Sequence, residues 1–321
     1  MKEQLEALNS LSINFGSGGM MVVNIILAFV MFGVALGIKL ETFKEVFKHP
    51  KSVVTGIVLQ WIGLPAVTFC VAIALSPFIT PMVALGMILV ASCPGGNISN
   101  FISSLAKGNI ELSVSMTAIT TAFAPIITPI NFYVWGTLYS SIIAIKSDIP
   151  MLVIPFMPML EQILLLLGVP IVLGILFARY FPNATKHITK PAQVLSILLF
   201  ICMVAASFWQ VVSSFEREWS IFTCIACAFV IVIVHNLCAF STGYFGGKLM
   251  RVPMADRRSL TIEVGIQNSG LGLVLLFNTA IFPLETWSNN GGMVIITALW
   301  GVWHIIAGLI IASYFRRKAI E

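Results

Sequence analysis

Cys93-Pro94-Gly95-Gly96-Asn97-Ile98-Ser99-Asn100 interrupts an apolar run that otherwise reads as a membrane-spanning helix. Proline removes a helix hydrogen bond and glycine weakens the helix, so the run predicts a break in its middle. Outward from it, Ser52–Ala106 is 55 residues long without one Asp, Glu, Lys or Arg, and Leu112–Ile145 is another 34. About 20 apolar residues suffice to cross a bilayer. The whole 321-residue chain is 58% apolar and only 10% charged, whereas soluble domains average about 25% charged residues. A soluble enzyme, a nucleic-acid binder and a disordered chain are excluded. The fold class is an all-α polytopic membrane protein whose first partner is the lipid bilayer.

Hydropathy gives nine transmembrane helices: Met20–Ile38, Ser52–Leu75, Met82–Ala106, Leu112–Leu138, Met159–Ala178, Ala192–Val212, Ser220–Gly246, Ser259–Phe282 and Gly292–Tyr314. Met151–Pro158 reads as interfacial. With the N-terminus outside, the inside loops and tail hold Lys39, Lys44, Lys48, Lys51, Lys107, Arg179, Lys186, Lys190, Lys248, Arg251, Arg257, Arg258, Arg316, Arg317 and Lys318. That is 15 of the 18 basic residues, against Lys2, Lys146 and Arg217 outside. The positive-inside rule then sets the orientation, with a cytoplasmic C-terminus. The implied organisation is a polar N-terminus (1–19), a four-span half (20–150), a five-span half (151–315) and a cytoplasmic tail (316–321). Residues 1–17 have no apolar core segment, so no cleavable signal peptide is expected.

The eighth span carries a second break, Glu263-Val264-Gly265-Ile266-Gln267-Asn268-Ser269-Gly270. Unwound backbone at membrane depth is tolerated only where it is buried in protein or lines a polar cavity. The third span runs outside to inside and the eighth inside to outside, each flanked by long apolar helices. Interrupted segments at matching positions of inverted halves point to the binding site of a secondary transporter. Glu263 is the one acidic residue near the centre of any span, with no Lys or Arg at its depth. A carboxylate there costs at least about 2.5 kcal/mol unless something offsets it. The breaks offer oxygens from Ser99, Asn100, Gln267, Asn268 and Ser269, which suit a hard monovalent cation. Oxygen chemistry by itself leaves Na⁺, K⁺ and H⁺ open. The six cysteines lie in apolar stretches and act as small hydrophobes; Cys224 and Cys227 form a CxxC without a second pair or a histidine cluster.

Pro94-Gly95-Gly96-Asn97-Ile98-Ser99-Asn100 with Leu105-Ala106-Lys107-Gly108-Asn109, and Leu260-Thr261-Ile262-Glu263-Val264-Gly265-Ile266-Gln267-Asn268-Ser269-Gly270-Leu271, resemble the bile acid:sodium symporter family. The likeness runs from Phe29-Val30-Met31-Phe32-Gly33 through His235-Asn236 to Trp303-His304. It implies an inverted-repeat fold with core and panel domains and two discontinuous helices crossing near the midplane, here without the first of the family's ten helices. It implies two sodium sites: Ser99, Asn100, Ser113, Thr117 and Glu263 for one; Gln60, Gln267, Glu263 and the backbone oxygens of Val264 and Ile266 for the other. For the substrate it implies Asn97, the amides near Ile98 and Ser99, and Asn268. Ile305 stands where some bacterial members have an Asn near the substrate, a departure from that pattern which leaves the exact ligand open.

The function the resemblance implies is Na⁺-coupled symport of an organic anion by alternating access, in a cell membrane (the inner membrane if the chain is bacterial). The anion is bile acid-like or a small carboxylate such as pantoate or a 2-keto acid. Proton coupling through Glu263 is the alternative within transport. A membrane-embedded enzyme would need a second acid or a Ser–His pair beside Glu263, and a sensor would carry a signalling domain. His235 and His304 read as buried, hydrogen-bonded histidines.

Overall fold

The computed structural model describes residues 1–9, 16–38, 50–147, 151–154, 156–213, 218–279, 281–283, 287 and 289–318. Lys39, Lys44, Lys48, Arg217 and Glu285 lie outside the described residues. In chain order the helices are α1 (Lys2–Asn9), α2 (Gly16–Ala35), α3 (Pro50–Leu75), α4 (Pro81–Ser92), α5 (Ile98–Leu105) and α6 (Ile110–Ser147). Then come α7 (Phe156–Tyr180), α8 (Pro182–Ser213), α9 (Glu218–Leu249), α10 (Met254–Gly265), α11 (Ser269–Phe277) and α12 (Gly291–Arg316). Among the described residues, five helices, α3, α6, α7, α9 and α12, are long and apolar enough to cross a membrane. This is a multi-pass membrane protein.

Two groups of helices pack together. Helices α3, α4, α6, α9, α10 and α12 pack on one another; α5 lies against α6, α10 and α12, and α11 against α12, α2 and α4, while α2 also packs against α7 and α8. The short helix α1, inside a segment expected to be merely polar, has a reason to form: Leu5 and Leu8 lie one turn apart and are fully buried against α9 and α12. Cys224 donates its thiol to Gln4 O there.

Proline shapes the elements that carry the site. Thr80 caps α4 by accepting from Val83 N, and Pro81 fills the first turn, where its missing N–H costs nothing. In α3, Pro65 cannot donate back to Trp61 O, and Asn131 Nδ2 takes that carbonyl at 3.0 Å. The turn before it widens into a π-turn over Leu59–Gly63, and Gln60 sits inside that turn. Helix α7 repeats the device, with a π-turn over Leu164–Gly168 ahead of Pro170.

Helix α4 stops at Ser92 and α5 starts at Ile98; α10 stops at Gly265 and α11 starts at Ser269. Between them the two extended stretches pair antiparallel at Gly95 and Gln267. Gly96 N donates to Ile266 O at 2.9 Å and Asn268 N to Pro94 O at 2.8 Å. An unpaired buried peptide group costs roughly 2–7 kcal/mol, so each break supplies the backbone partners the other needs. A Cβ on residue 96 would lie 3.1 Å from Gln267 O, and this close approach is why glycine stands there.

Candidate functional site

Glu263 ends α10 one turn before the crossing and is 1% exposed. Ser99 Oγ donates to its Oε1 at 2.5 Å, Ser113 Oγ donates to the same oxygen, and Thr117 Oγ1 donates to Oε2 at 2.9 Å. Ser99 and Ser103 share a face of α5; Ser113 and Thr117 share a face of α6, four residues apart. Gly95 leaves the space the carboxylate needs, since a Cβ there would be 3.0 Å from Oε2.

Asn100 Oδ1 joins the same cluster, 2.9 Å from Ser113 Oγ and 3.2 Å from Thr117 Oγ1. Ser113 also reaches Ser103 Oγ at 3.1 Å, and Thr117 reaches Ser113 O at 3.1 Å. Each hydroxyl has one proton. Ser99, Ser113 and Thr117 therefore offer three protons to a larger number of acceptors: both Glu263 oxygens, Asn100 Oδ1 and the Ser113 carbonyl. Among the described residues every partner of Glu263 is a neutral hydroxyl. Arg258, five residues earlier on α10, sends its guanidinium to Ala106 O and Lys318 O instead. A buried carboxylate in a proton-poor nest of oxygens has the electrostatics and the chemistry of a hard-cation site. The described residues hold no group of three or more His, Cys, Asp or Glu of the kind a transition metal would select.

On the other side of the crossing, Gln60 Nε2 donates to Gln267 Oε1 at 2.5 Å, and Gln267 Nε2 to Val264 O at 2.8 Å. Gln60 is 1% exposed, and its Oε1 has no partner among the described residues. A buried amide oxygen without a donor is costly and marks a place for an electropositive ligand. Val264 O and Ile266 O each accept one bond, which leaves each a second lone pair.

The expected anion-side residues separate. Asn97 and Ile98 are exposed at the start of α5, and Asn97 makes no side-chain cap bond there. Asn268 is half-buried at the start of α11, where its side chain accepts from Leu271 N. Ser99, read for both roles, has its hydroxyl on Glu263 and its amide on Gly96 O. Two helix N-termini thus begin at the crossing, and N-termini attract anions. Ser103 is the cluster member that sequence reasoning missed; its spacing of four from Ser99 was the available signal. His235 Nε2 pairs with Thr68 Oγ1 at 2.7 Å, and its ring lies against Trp300.

A model described as the Sodium Bile acid symporter family matches residues 24–218. The chain is 31% identical over 300 residues to the "Uncharacterized sodium-dependent transporter YocS" of Bacillus subtilis, covering 92% of this chain and 83% of the relative. It is 28% identical over 293 residues to the "Probable sodium/metabolite cotransporter BASS1, chloroplastic" of Arabidopsis thaliana, covering 91% of this chain and 66% of that protein. To the "Ileal sodium/bile acid cotransporter" of Oryctolagus cuniculus it is 26% identical over 252 residues, covering 78% of this chain and 67% of the relative.

Proposed function

The chain belongs to the Sodium Bile acid symporter family, a family of sodium-dependent transporters, and from that premise we propose that it is a Na⁺-coupled symporter of an organic anion. The observation that carries this reading is Glu263: a buried carboxylate held by three neutral hydroxyls among more oxygens than protons. One sodium ion takes Ser99, Asn100, Ser113, Thr117 and Glu263. A second takes Gln60, Gln267, Glu263 and the carbonyls of Val264 and Ile266, with the unpartnered Gln60 Oε1 as its strongest support.

Cation charge offsets Glu263 and links α5, α6, α10 and α3 through shared oxygens. The helix starts at Asn97–Ile98 and Asn268–Ser269 then receive a carboxylate, with the Ile98 amide and the two asparagine side chains as donors. The substrate class is an organic anion, in keeping with relatives named for bile acids and metabolites. Nine spans, in two inverted sets with α4–α5 and α10–α11 as their interrupted members, rock between access to one side and the other. The N-terminus is outside and the C-terminus cytoplasmic.

Melting temperature of the purified protein in NaCl against KCl, and sodium-driven counterflow of labelled carboxylates in proteoliposomes, test the reading. We expect sodium-specific stabilisation and uptake in the parent chain and neither in Glu263→Ala, which still folds. Sodium dependence that survives in Glu263→Ala overturns the cation assignment. Uptake that ignores sodium but rises as pH falls makes Glu263 a proton carrier instead.

A further inference from the structure

Far from the crossing, where α3, α6 and α10 all begin, one buried carboxylate touches the other two helices. Asp256 lies in the first turn of α10 and is 5% exposed. Its Oδ2 accepts from Ser52 Oγ of α3 at 2.5 Å, and its Oδ1 accepts from Asn109 Nδ2 at 2.9 Å. Asn109 in turn caps α6, its Oδ1 accepting from Leu112 N at 3.1 Å. The same junction is closed by Asn109 N on Ala255 O at 3.2 Å and Ser259 Oγ on Asn109 O at 2.8 Å.

These three helices carry Gln60, Ser113, Thr117, Glu263 and Val264 of the proposed ion ligands. Glu263 follows Asp256 by seven residues on α10, about 10 Å or two turns along one face. Gln60 follows Ser52 by eight residues on α3. Ser113 and Thr117 follow Asn109 by four and eight on α6. Between the junction and the ligands the helices are in close contact: a Cβ on Gly56 of α3 would come within 2.7 Å of both Met116 of α6 and Leu260 of α10. Rigid, tightly packed rods transmit a register set at one end to the other.

We infer that Asp256 is a positioning residue that sets the mutual register of α3, α6 and α10, and through it the geometry of both proposed sodium sites. The inference rests on the sodium reading of Glu263 and adds a residue that touches no ion. Burying a carboxylate is costly unless it is fully hydrogen-bonded, so a tie that served packing alone would be as well made by apolar side chains. Two oxygens aimed at two different helices specify alignment.

The test separates alignment from stability. Sodium half-saturation and the sodium-free melting temperature are measured on the purified full chain for Asp256→Ala, Asp256→Asn, Ser52→Ala and Glu263→Ala. We expect Asp256→Ala to raise half-saturating sodium clearly above the parent value. Asp256→Asn, which keeps one acceptor oxygen, should raise it less, and Ser52→Ala, which releases only α3, less again. If Asp256→Ala does not accumulate, the two milder variants carry the same expectation. Half-saturation that stays at the parent value while the sodium-free melting temperature falls overturns the inference and leaves the sodium reading intact. A sodium response retained by Glu263→Ala overturns both.

Discussion

Glu263 illustrates how one side chain is defined by what surrounds it. Its carboxylate touches Ser99, Ser113 and Thr117 and no cationic side chain among the described residues. On the sodium reading proposed above, those hydroxyls are supports whose removal weakens the ion before it weakens the fold. A hydrogen bond to a charged group is worth about 1.5–3 kcal/mol, and 1.4 kcal/mol is a factor of ten. Thr117→Ala should therefore raise half-saturating sodium by roughly tenfold or more while leaving saturated uptake near the parent rate, because mass action refills a weakened site. Sodium titration of uptake at fixed substrate checks this. Asn268→Ala should behave in the opposite way, with weaker substrate binding that excess sodium does not restore. Isothermal calorimetry at saturating sodium reads that difference.

At the scale of the elements, two devices place these side chains. The first is the π-turn ahead of Pro65, which sets Gln60 against Gln267. With Pro65→Ala the backbone N–H returns and competes with Asn131 for Trp61 O. Restoring a regular turn would rotate Gln60 away from the crossing. Sodium activation should then lose its cooperative component, with a Hill coefficient falling to about one, as for a single remaining site. A steeper curve than that would show that Gln60 keeps its place. The second device is the paired backbone at Gly95 and Gln267. Gly96→Ala puts a methyl 3.1 Å from Gln267 O and should force the two stretches apart. The expected result is a melting temperature lower by several degrees and a loss of uptake that excess sodium does not recover. The breaks hold because each supplies the other's missing hydrogen bonds, so neither would be stable alone at membrane depth.

At the scale of the molecule, the oxygen cluster around Glu263 and the exposed helix starts adjoin through Ser99, whose hydroxyl faces Glu263 while Asn97 and Ile98 nearby are exposed. Linkage requires that sodium tighten the substrate by the factor with which the substrate tightens sodium. A coupling of about 1–3 kcal/mol would appear as a roughly 5- to 150-fold change in both directions, and calorimetry across a sodium series measures each arm. The orientation proposed from the basic residues has its own readout. A cysteine replacing the exposed Asn289 should react with an impermeant thiol reagent from outside, and one replacing the exposed Asn183 only from inside, in a background lacking native cysteines. Reversed labelling would invert the topology and leave the crossing unchanged.

What the sequence by itself determined follows from local and compositional rules. Long charge-free runs require a bilayer, Pro and Gly in mid-span require a break, and a lone acid among small polar residues requires a partner. Those rules located Glu263 and the two breaks with their oxygens at Ser99, Asn100, Gln267, Asn268 and Ser269, because the cost of burying polar groups in lipid is severe enough to be read residue by residue; Gln60, Ser113 and Thr117 came only from the likeness to the family. Other features depend on distances between residues far apart in the chain. That Gly96 and Ile266 pair, and that Ser103 joins the cluster of oxygens around Glu263, are outcomes of packing. Leu5 and Leu8 become a buried face only because α9 and α12 are there to receive them. Asp256 is the clearest case. In the sequence it is an acid at a membrane edge, one of several. Its role arises when Ser52, 204 residues away, and Asn109, 147 residues away, arrive on its two oxygens. No periodicity encodes that meeting; only the folded bundle brings the three helix starts together.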